Sequence, residues 1–290
     1  MERELGQRCG MVMPSFQQGR FLQEAIQSVV SQRGNREFEV RDGGSTDESV
    51  EILRRFGASV PCRSEPDGGQ VAAINAGLQQ LRSGIVGYLN SDDRLLPGAL
   101  EMVEEAFARN PTVDVVYGQA WIINERGERM RPYPTLPFEF PALVQHCFLC
   151  QPATFWRADL HRRFGWFNAD YENTFDYEFW LRLAGNGAKF LHIPEFLAES
   201  REHDSTKSRR NRGKIFREIR RMQMQRLGYC GRNWWEQQLR FWRDESGSRW
   251  GRLLPGPGDR RMYGLAWLPY VFWRRKLGGP LFYRPGDWRA

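Results

Sequence analysis

Two adjacent carboxylates, Asp92 and Asp93, follow the apolar run at residues 85–89 and precede Leu95-Leu96-Pro97. Carboxylates at the end of a buried strand offer hard oxygen ligands at the carboxyl edge of a sheet, where open α/β sheets take their ligands. The pair has a second reading, as the cap of a helix opened by Pro97. Further acids punctuate the chain in similar settings: Asp42 before Gly43-Gly44, Asp67 before Gly68-Gly69, and Asp176 at the start of an apolar periodic stretch. Cys147-Phe-Leu-Cys150 beside His146 is a lone CxxC, with no second pair to close a tetrahedral zinc site.

The elements that must hold these acids can be traced from the N-terminus. Residues 9–14 form a buried strand ended by a proline, and a helix over 19–32 carries Phe21, Leu22, Ala25, Ile26 and Val29 on one face. A second strand, 38–42, runs into a glycine turn. There Ser45 and Glu48 have the spacing of a capping box for the helix of Val50, Leu53 and Phe56. A third strand near 58–63, a helix with Val71, Ile74, Leu78 and Leu81, a fourth strand at 85–89, a helix with Leu100, Val103 and Phe107, and a strand at 113–117 complete the alternation. Five strands alternating with four helices predict an α/β fold with a mainly parallel sheet covered on both faces. Residues 119–151, with Pro132, Pro134, Pro137 and Pro141, read as extended or looped. A helix over 175–183 and a strand at 189–194 follow.

The 290 residues carry 41% hydrophobic and 27% charged side chains, the composition of a globular protein with a sizeable core. No run of about eighteen apolar residues is present, and the first eight residues are charged where a signal peptide needs an apolar core. A cytoplasmic enzyme is expected, with five reduced cysteines rather than disulfides. The net charge of +7 is uneven: residues 201–290 hold 22 Lys and Arg against 8 Asp and Glu, while residues 1–200 are net acidic.

The motifs in order are Pro14-Ser15-Phe16, residues 42–47 (DGGSTD), residues 65–70 (EPDGGQ) with Ala73-Ile74-Asn75, residues 89–93 (LNSDD) and residues 175–182 (FDYEFWLR). Over residues 9–210 this resembles family 2 of the inverting glycosyltransferases, which have the Rossmann-like GT-A fold. The resemblance implies transfer of a sugar from a UDP-, GDP- or dTDP-linked donor to a saccharide or lipid-linked hydroxyl acceptor, in polysaccharide, lipopolysaccharide or glycolipid assembly. It implies that Pro14, Ser15, Asp42, Gly43 and Asp67 line the nucleotide-sugar pocket, with Asp42 at the base. Asn90-Ser91-Asp92 stands where the family has D-x-D, so Asp92 is the expected ligand of Mn²⁺ or Mg²⁺, with Asp93 as its alternative and Asn90 a departure from the pattern. Asp176 matches the general base, which a helix N-terminus would keep ionised; Phe175 precedes it where the family often has an acid. Gln151 and Trp156 fall in the acceptor-side segment together with Trp166, although packing explains Phe155, Trp156 and Trp166 individually. Arg201 and Lys207 suit phosphates, and His203 suits Mn²⁺.

The catalytic domain is therefore expected over 1–210, and residues 211–290 form a helical extension rich in Arg and Trp. Trp234, Trp235, Trp242, Trp250, Trp267, Trp273 and Trp288, and the stretch 265–276, fit either packing onto the protein or a second subunit, or peripheral contact with an anionic membrane surface. Nucleic acid does not account for the ordered acidic loops of the first two hundred residues. The rival to an enzyme is a scaffold that keeps the fold and works through its basic extension.

Overall fold

The computed structural model describes residues 8–34, 36–204 and 206–244. They divide into two compact units interleaved in sequence: residues 8–138, 148–172 and 188–203 in one, and residues 139–147, 173–187 and 204–244 in the other. The helix of Asp176 groups with the C-terminal helices.

The first unit contains every described strand. Its elements are β1 (Cys9–Ser15), α1 (Gly19–Val30), β2 (Phe38–Asp42), α2 (Ser49–Phe56), β3 (Cys62–Ser64), α3 (Gln70–Leu78), β4 (Ile85–Tyr88), β5 (Arg94–Leu95), α4 (Ala99–Arg109), β6 (Val115–Ile123) and β7 (Arg129–Pro132). The helical unit's α5 (Phe140–Gln145) intervenes, and β8 (Thr154–Arg157) and α6 (Asp159–Phe164) return to the sheet unit. After α7 (Phe175–Gly185), β9 (Phe190–Arg201) closes it.

The strands form one α/β sheet in the order β3-β2-β1-β4-β8-β6-β9-β5, with β7 on β6. The first four are all parallel, as crossover helices require. Strand β8 runs antiparallel to both β4 and β6, β6 and β9 pair in parallel, and β5 and β7 are antiparallel additions. Both faces of β1 are covered. Met11 and Met13 join Leu22, Ile26, Leu53 and Val103 in one core, while Val12 points the other way, against α3. A Cβ on Gly77 would lie 2.6 Å from Val12, so this glycine lets α3 close on the sheet.

Several expectations are refined or corrected. Of the extended or looped reading of residues 119–151, the part up to 132 is extended: the end of β6, a turn and β7, in which Pro132 still pairs with Trp121. Leu81 lies beyond the end of α3. The Ser45–Glu48 capping box does not form. The Ser45 hydroxyl instead donates to Asp42 Oδ1 and accepts from Gln17 N, and Asp47 Oδ1 takes the N–H of Ser49, the first residue of α2, at 3.0 Å.

The second unit is helical, adding α8 (Lys207–Arg210), α9 (Arg212–Arg226) and α10 (Arg232–Asp244) to α5 and α7. Its hub is the buried hydroxyl of Tyr177, which donates to Leu143 O at 2.6 Å and accepts from Gln223 Nε2 at 3.1 Å and Trp234 Nε1 at 3.0 Å. One phenol thus joins all four longer elements. Glu178, wholly buried, is paired with Arg182 at 2.9 Å and Arg226 at 3.6 Å. Trp234 packs within this unit against Tyr177, and Trp250, Trp267, Trp273, Trp288 and the stretch 265–276 lie outside the described residues. Among the described residues no helix is long and apolar enough to cross a membrane.

Candidate active site

The carboxyl ends of β1, β2, β3 and β4 lead into the loops that carry the sequence-predicted residues. Asp42 ends β2, only 2% exposed. Its Oδ2 accepts from Ser45 N at 2.8 Å and Ser64 Oγ at 2.7 Å, and its Oδ1 accepts from Ser45 Oγ at 2.6 Å. The carboxylate expected to meet a base thus spends three hydrogen bonds shaping the two loops beside it. Asp67, in the loop after β3, is exposed, and its Oδ1 takes the Gly69 N–H at 2.7 Å. A Cβ on Gly43 would stand 3.3 Å from both Asp67 Oδ2 and the Phe16 ring, so the absence of a side chain there leaves a carboxylate and an aromatic face side by side.

Phe16, 59% exposed, has no role assigned from sequence. Its signal is an aromatic placed directly after a strand-ending Pro14-Ser15, where a packing residue is not needed. Pro14 itself is buried within β1. Ser15 is 5% exposed, its carbonyl accepts from Gly43 N at 2.8 Å, and its hydroxyl is buried without a partner. Gln17 holds the next position in the left-handed region, φ 54°. That conformation costs energy for a residue with a Cβ and needs external support. The support is visible: Gln17 N donates to Ser45 Oγ at 2.7 Å, and its side-chain amide donates to Thr46 Oγ1 at 3.0 Å.

Asp92 and Asp93 do not cap a helix. Strand β5 separates them from α4, which starts at Ala99 behind Gly98, a left-handed residue with φ 79°. The two acids also diverge. Asp93 is 5% exposed, its Oδ1 accepts the Arg201 backbone N–H at 2.8 Å and its Oδ2 the Asn90 amide at 3.2 Å. Burial first, and the Asp92 charge second, hold its carboxyl well above the usual range. Turned inward and bonded, Asp93 is not available as the alternative metal ligand.

Asn90 is explained by the same network. Its Nδ2 donates to Asp93 and to Gln151 Oε1, each at 3.2 Å, while its Oδ1 accepts from Gln70 Nε2 at 2.7 Å. An aspartate could make neither donation and would add a third carboxylate to the loop. Ser91 between them is buried, 3% exposed.

Asp92 remains partly open, its side chain 18% exposed, with Oδ2 facing His203 Nε2 at 3.0 Å. Two ligands at right angles on a cation with bonds of about 2.1 Å stand roughly 3 Å apart, so this pair fits one small divalent ion. Carboxylate oxygen with imidazole nitrogen is a donor set Mn²⁺ accepts. Among the described residues no group of three or more His, Cys, Asp or Glu forms a complete cage.

Arg201 is not a free phosphate ligand. It is 3% exposed and its guanidinium is committed to Asp92 O, Asn124 O, Glu125 O and Glu24. It braces the Asp92 loop instead. Trp156 is likewise out of reach of an acceptor: fully buried, it donates Nε1–H to His161 at 2.9 Å. Gln151 is 8% exposed and donates to Tyr88 O at 2.6 Å, which sets its carbonyl toward Asn90. Trp166, 38% exposed, stacks on His161 with centroids 4.5 Å apart. A cavity of about 900 Å³ lies along α1 and α2 among Gln23, Glu48, Glu51 and Arg55 and is lined by none of the candidate residues.

In the helical unit Lys207 is exposed at the start of α8. Asp176 is the second residue of α7, partly exposed, with Oδ1 accepting the Tyr177 N–H at 2.8 Å. Burial raises its pKa to about 6, and the charge of Glu218 adds to the rise. Burial thus outweighs the hydrogen bond from the helix N-terminus in its titration, and at neutral pH the ionised form still prevails. Asp176 is not the cap, since Thr174 stands at that position.

The glycosyl transferase family 2 model matches residues 11–175. The chain belongs to that family. This family 2 chain is 28% identical over 191 residues to a chondroitin synthase and, equally, to a hyaluronan synthase of Pasteurella multocida, covering 62% of this chain and 19% of each relative. It thus spans about a fifth of their length. Among solved structures it resembles S. aureus TarS 1–349 in complex with UDP-GlcNAc, with TM-score 0.64, 13% identity and coverage of 91% of this chain and 80% of that one. It also resembles the mannosyltransferase PcManGT of Pyrobaculum calidifontis in complex with GDP-Man and Mn²⁺, with TM-score 0.55, 17% identity and coverage of 74% and 64%. The shared fold is GT-A.

Proposed function

We propose that this family 2 protein is an inverting, metal-dependent glycosyltransferase that moves a sugar from a nucleoside-diphosphate donor to a hydroxyl of a saccharide or lipid-linked acceptor. The observation that carries the reading is the Asp92–His203 pair, a partly open carboxylate set 3.0 Å from an imidazole at the edge where Phe16, Gly43 and Asp67 meet. Neighbours of the same fold hold UDP-GlcNAc, and GDP-Man with Mn²⁺, which supports the donor class. The names of the chondroitin and hyaluronan synthases support polysaccharide assembly as the setting.

Phe16 would stack on the base and Asp67 would accept from its ring or exocyclic N–H, while Asp42 and Gln17 hold their loops in shape. Asp92 and His203 would hold Mn²⁺ or Mg²⁺, which neutralises the charge gathering on the departing diphosphate. Asp176 would take the acceptor hydroxyl's proton as the new bond forms at the anomeric carbon and the bond to the diphosphate oxygen breaks on the opposite face. Calorimetry with UDP, GDP, dTDP and CDP, with and without Mn²⁺, tests this on wild type and Asp92→Ala. Binding of one nucleotide that requires both Mn²⁺ and Asp92 is expected. Absence of binding to any of the four, with or without metal, would overturn the reading.

A further inference from the structure

Residues 207–226 contain nine Lys or Arg and a single acid, Glu218. On an exposed basic helix a lone carboxylate is expected to pair with a neighbouring arginine. Glu218 instead reaches from α9 to the two residues that precede α7. Its Oε2 accepts from Asn173 N at 2.9 Å and from Thr174 Oγ1 at 2.9 Å, and its Oε1 accepts from Asn173 Nδ2 at 2.7 Å. Asn173 is held from its other side by Asn211 Nδ2 at 2.8 Å. A carboxylate from another helix thus ties down the two residues that lead into α7, where Thr174, at the cap position, makes no side-chain cap bond of its own.

The anchored segment ends two residues before Asp176. We propose that Glu218 is a positioning residue of the transferase: it fixes the first turn of α7, and with it the direction in which the Asp176 carboxylate points. This rests on the reading of Asp176 as the base. The C-terminal helices are then part of the catalytic apparatus rather than an appendage, because the group that orients the base is carried by α9. The arrangement also places a second negative charge near the base. Burial is the main cause of the raised Asp176 carboxyl; the Tyr177 N–H opposes the rise and the Glu218 charge adds a smaller contribution to it.

The test compares wild type with Glu218→Gln and Glu218→Asp in three measurements: turnover against pH, nucleotide affinity, and a ¹³C-carboxyl NMR titration of Asp176. Glu218→Gln keeps the shape but turns an amide N–H₂ toward donors. We expect kcat to fall about tenfold at pH 8, equivalent to ~1.4 kcal/mol in the barrier, with donor affinity and melting temperature close to wild type. The Asp176 titration and the acidic limb of kcat should both move to lower pH, and Glu218→Asp should restore part of the turnover. Unchanged kcat and unchanged titration in Glu218→Gln would overturn the proposal. So would a loss of kcat accompanied by an equal loss of nucleotide affinity and a lowered melting temperature, which marks a folding role alone. A shifted titration in a protein whose wild type shows no turnover would instead count against the transferase reading and leave the geometric coupling standing.

Discussion

The Nε2 of His203 stands 3.0 Å from Oδ2 of Asp92, although 111 residues separate them in the chain. Parallel pairing of β6 with β9, and the antiparallel addition of β5 to β9, bring the end of β9 back beside the loop after β4. If the two side chains hold one cation, each substitution should act through metal. His203→Ala and Asp92→Ala should each lower Mn²⁺-dependent nucleotide affinity by at least about tenfold, ~1.4 kcal/mol, while metal-free affinity stays near wild type. Calorimetry with and without EDTA checks this. An Asp93→Asn variant should keep the metal increment, because Asp93 faces inward.

Asp176 has a pKa raised to about 6, so its ionised, proton-accepting form dominates above pH 6 and is lost as the pH falls through that value. Turnover should therefore decline toward acid, approaching about tenfold per pH unit once well below 6. Asp176→Asn should reduce kcat by about 10²- to 10⁴-fold with nucleotide binding retained. A flat profile between pH 5 and 8 would remove Asp176 as the base.

Phe16 exposes 59% of its surface beside Asp67. An aromatic that stacks on a base contributes about 1–3 kcal/mol, so Phe16→Ala should weaken nucleotide binding accordingly. Its thermal stability should hardly change, since the ring is not part of the core. Isothermal titration paired with a melting curve separates the two.

Gly118 sits where the β6–β9 register shifts between Tyr117 and Gln119. A Cβ there would lie 2.6 Å from the Leu197 side chain and 2.7 Å from the Glu195 carbonyl. The carbonyl belongs to a paired strand and cannot rotate away as a side chain could. Gly118→Ala should cost about 1–3 kcal/mol, read as a lowered denaturation midpoint.

Much of this protein was legible in its sequence because the signal is local. Alternating apolar runs and glycine turns located β1, β2, β4 and the helices between them, and the resemblance to family 2 and its GT-A fold followed from motifs at strand ends. Those motifs name residues without orienting them. Asp92 and Asp93 are chemically identical neighbours, and only the hydrogen bonds from Arg201 and Asn90 turn one inward and leave the other open. Asn90 looked like a weakened motif until Gln70 and Gln151, from other parts of the chain, joined Asp93 around it. Arg201 has the charge for a phosphate, yet carbonyls and Glu24 contributed by tertiary contacts consume its donors. The pKa of Asp176 depends on desolvation, which no spacing reveals, and Glu218 shares no motif with the helix it anchors. Residue type and order determine which chemistry the chain can attempt. Burial and long-range hydrogen bonding decide which atoms stay free to do it, because a buried polar group must find its partner wherever the fold brings one.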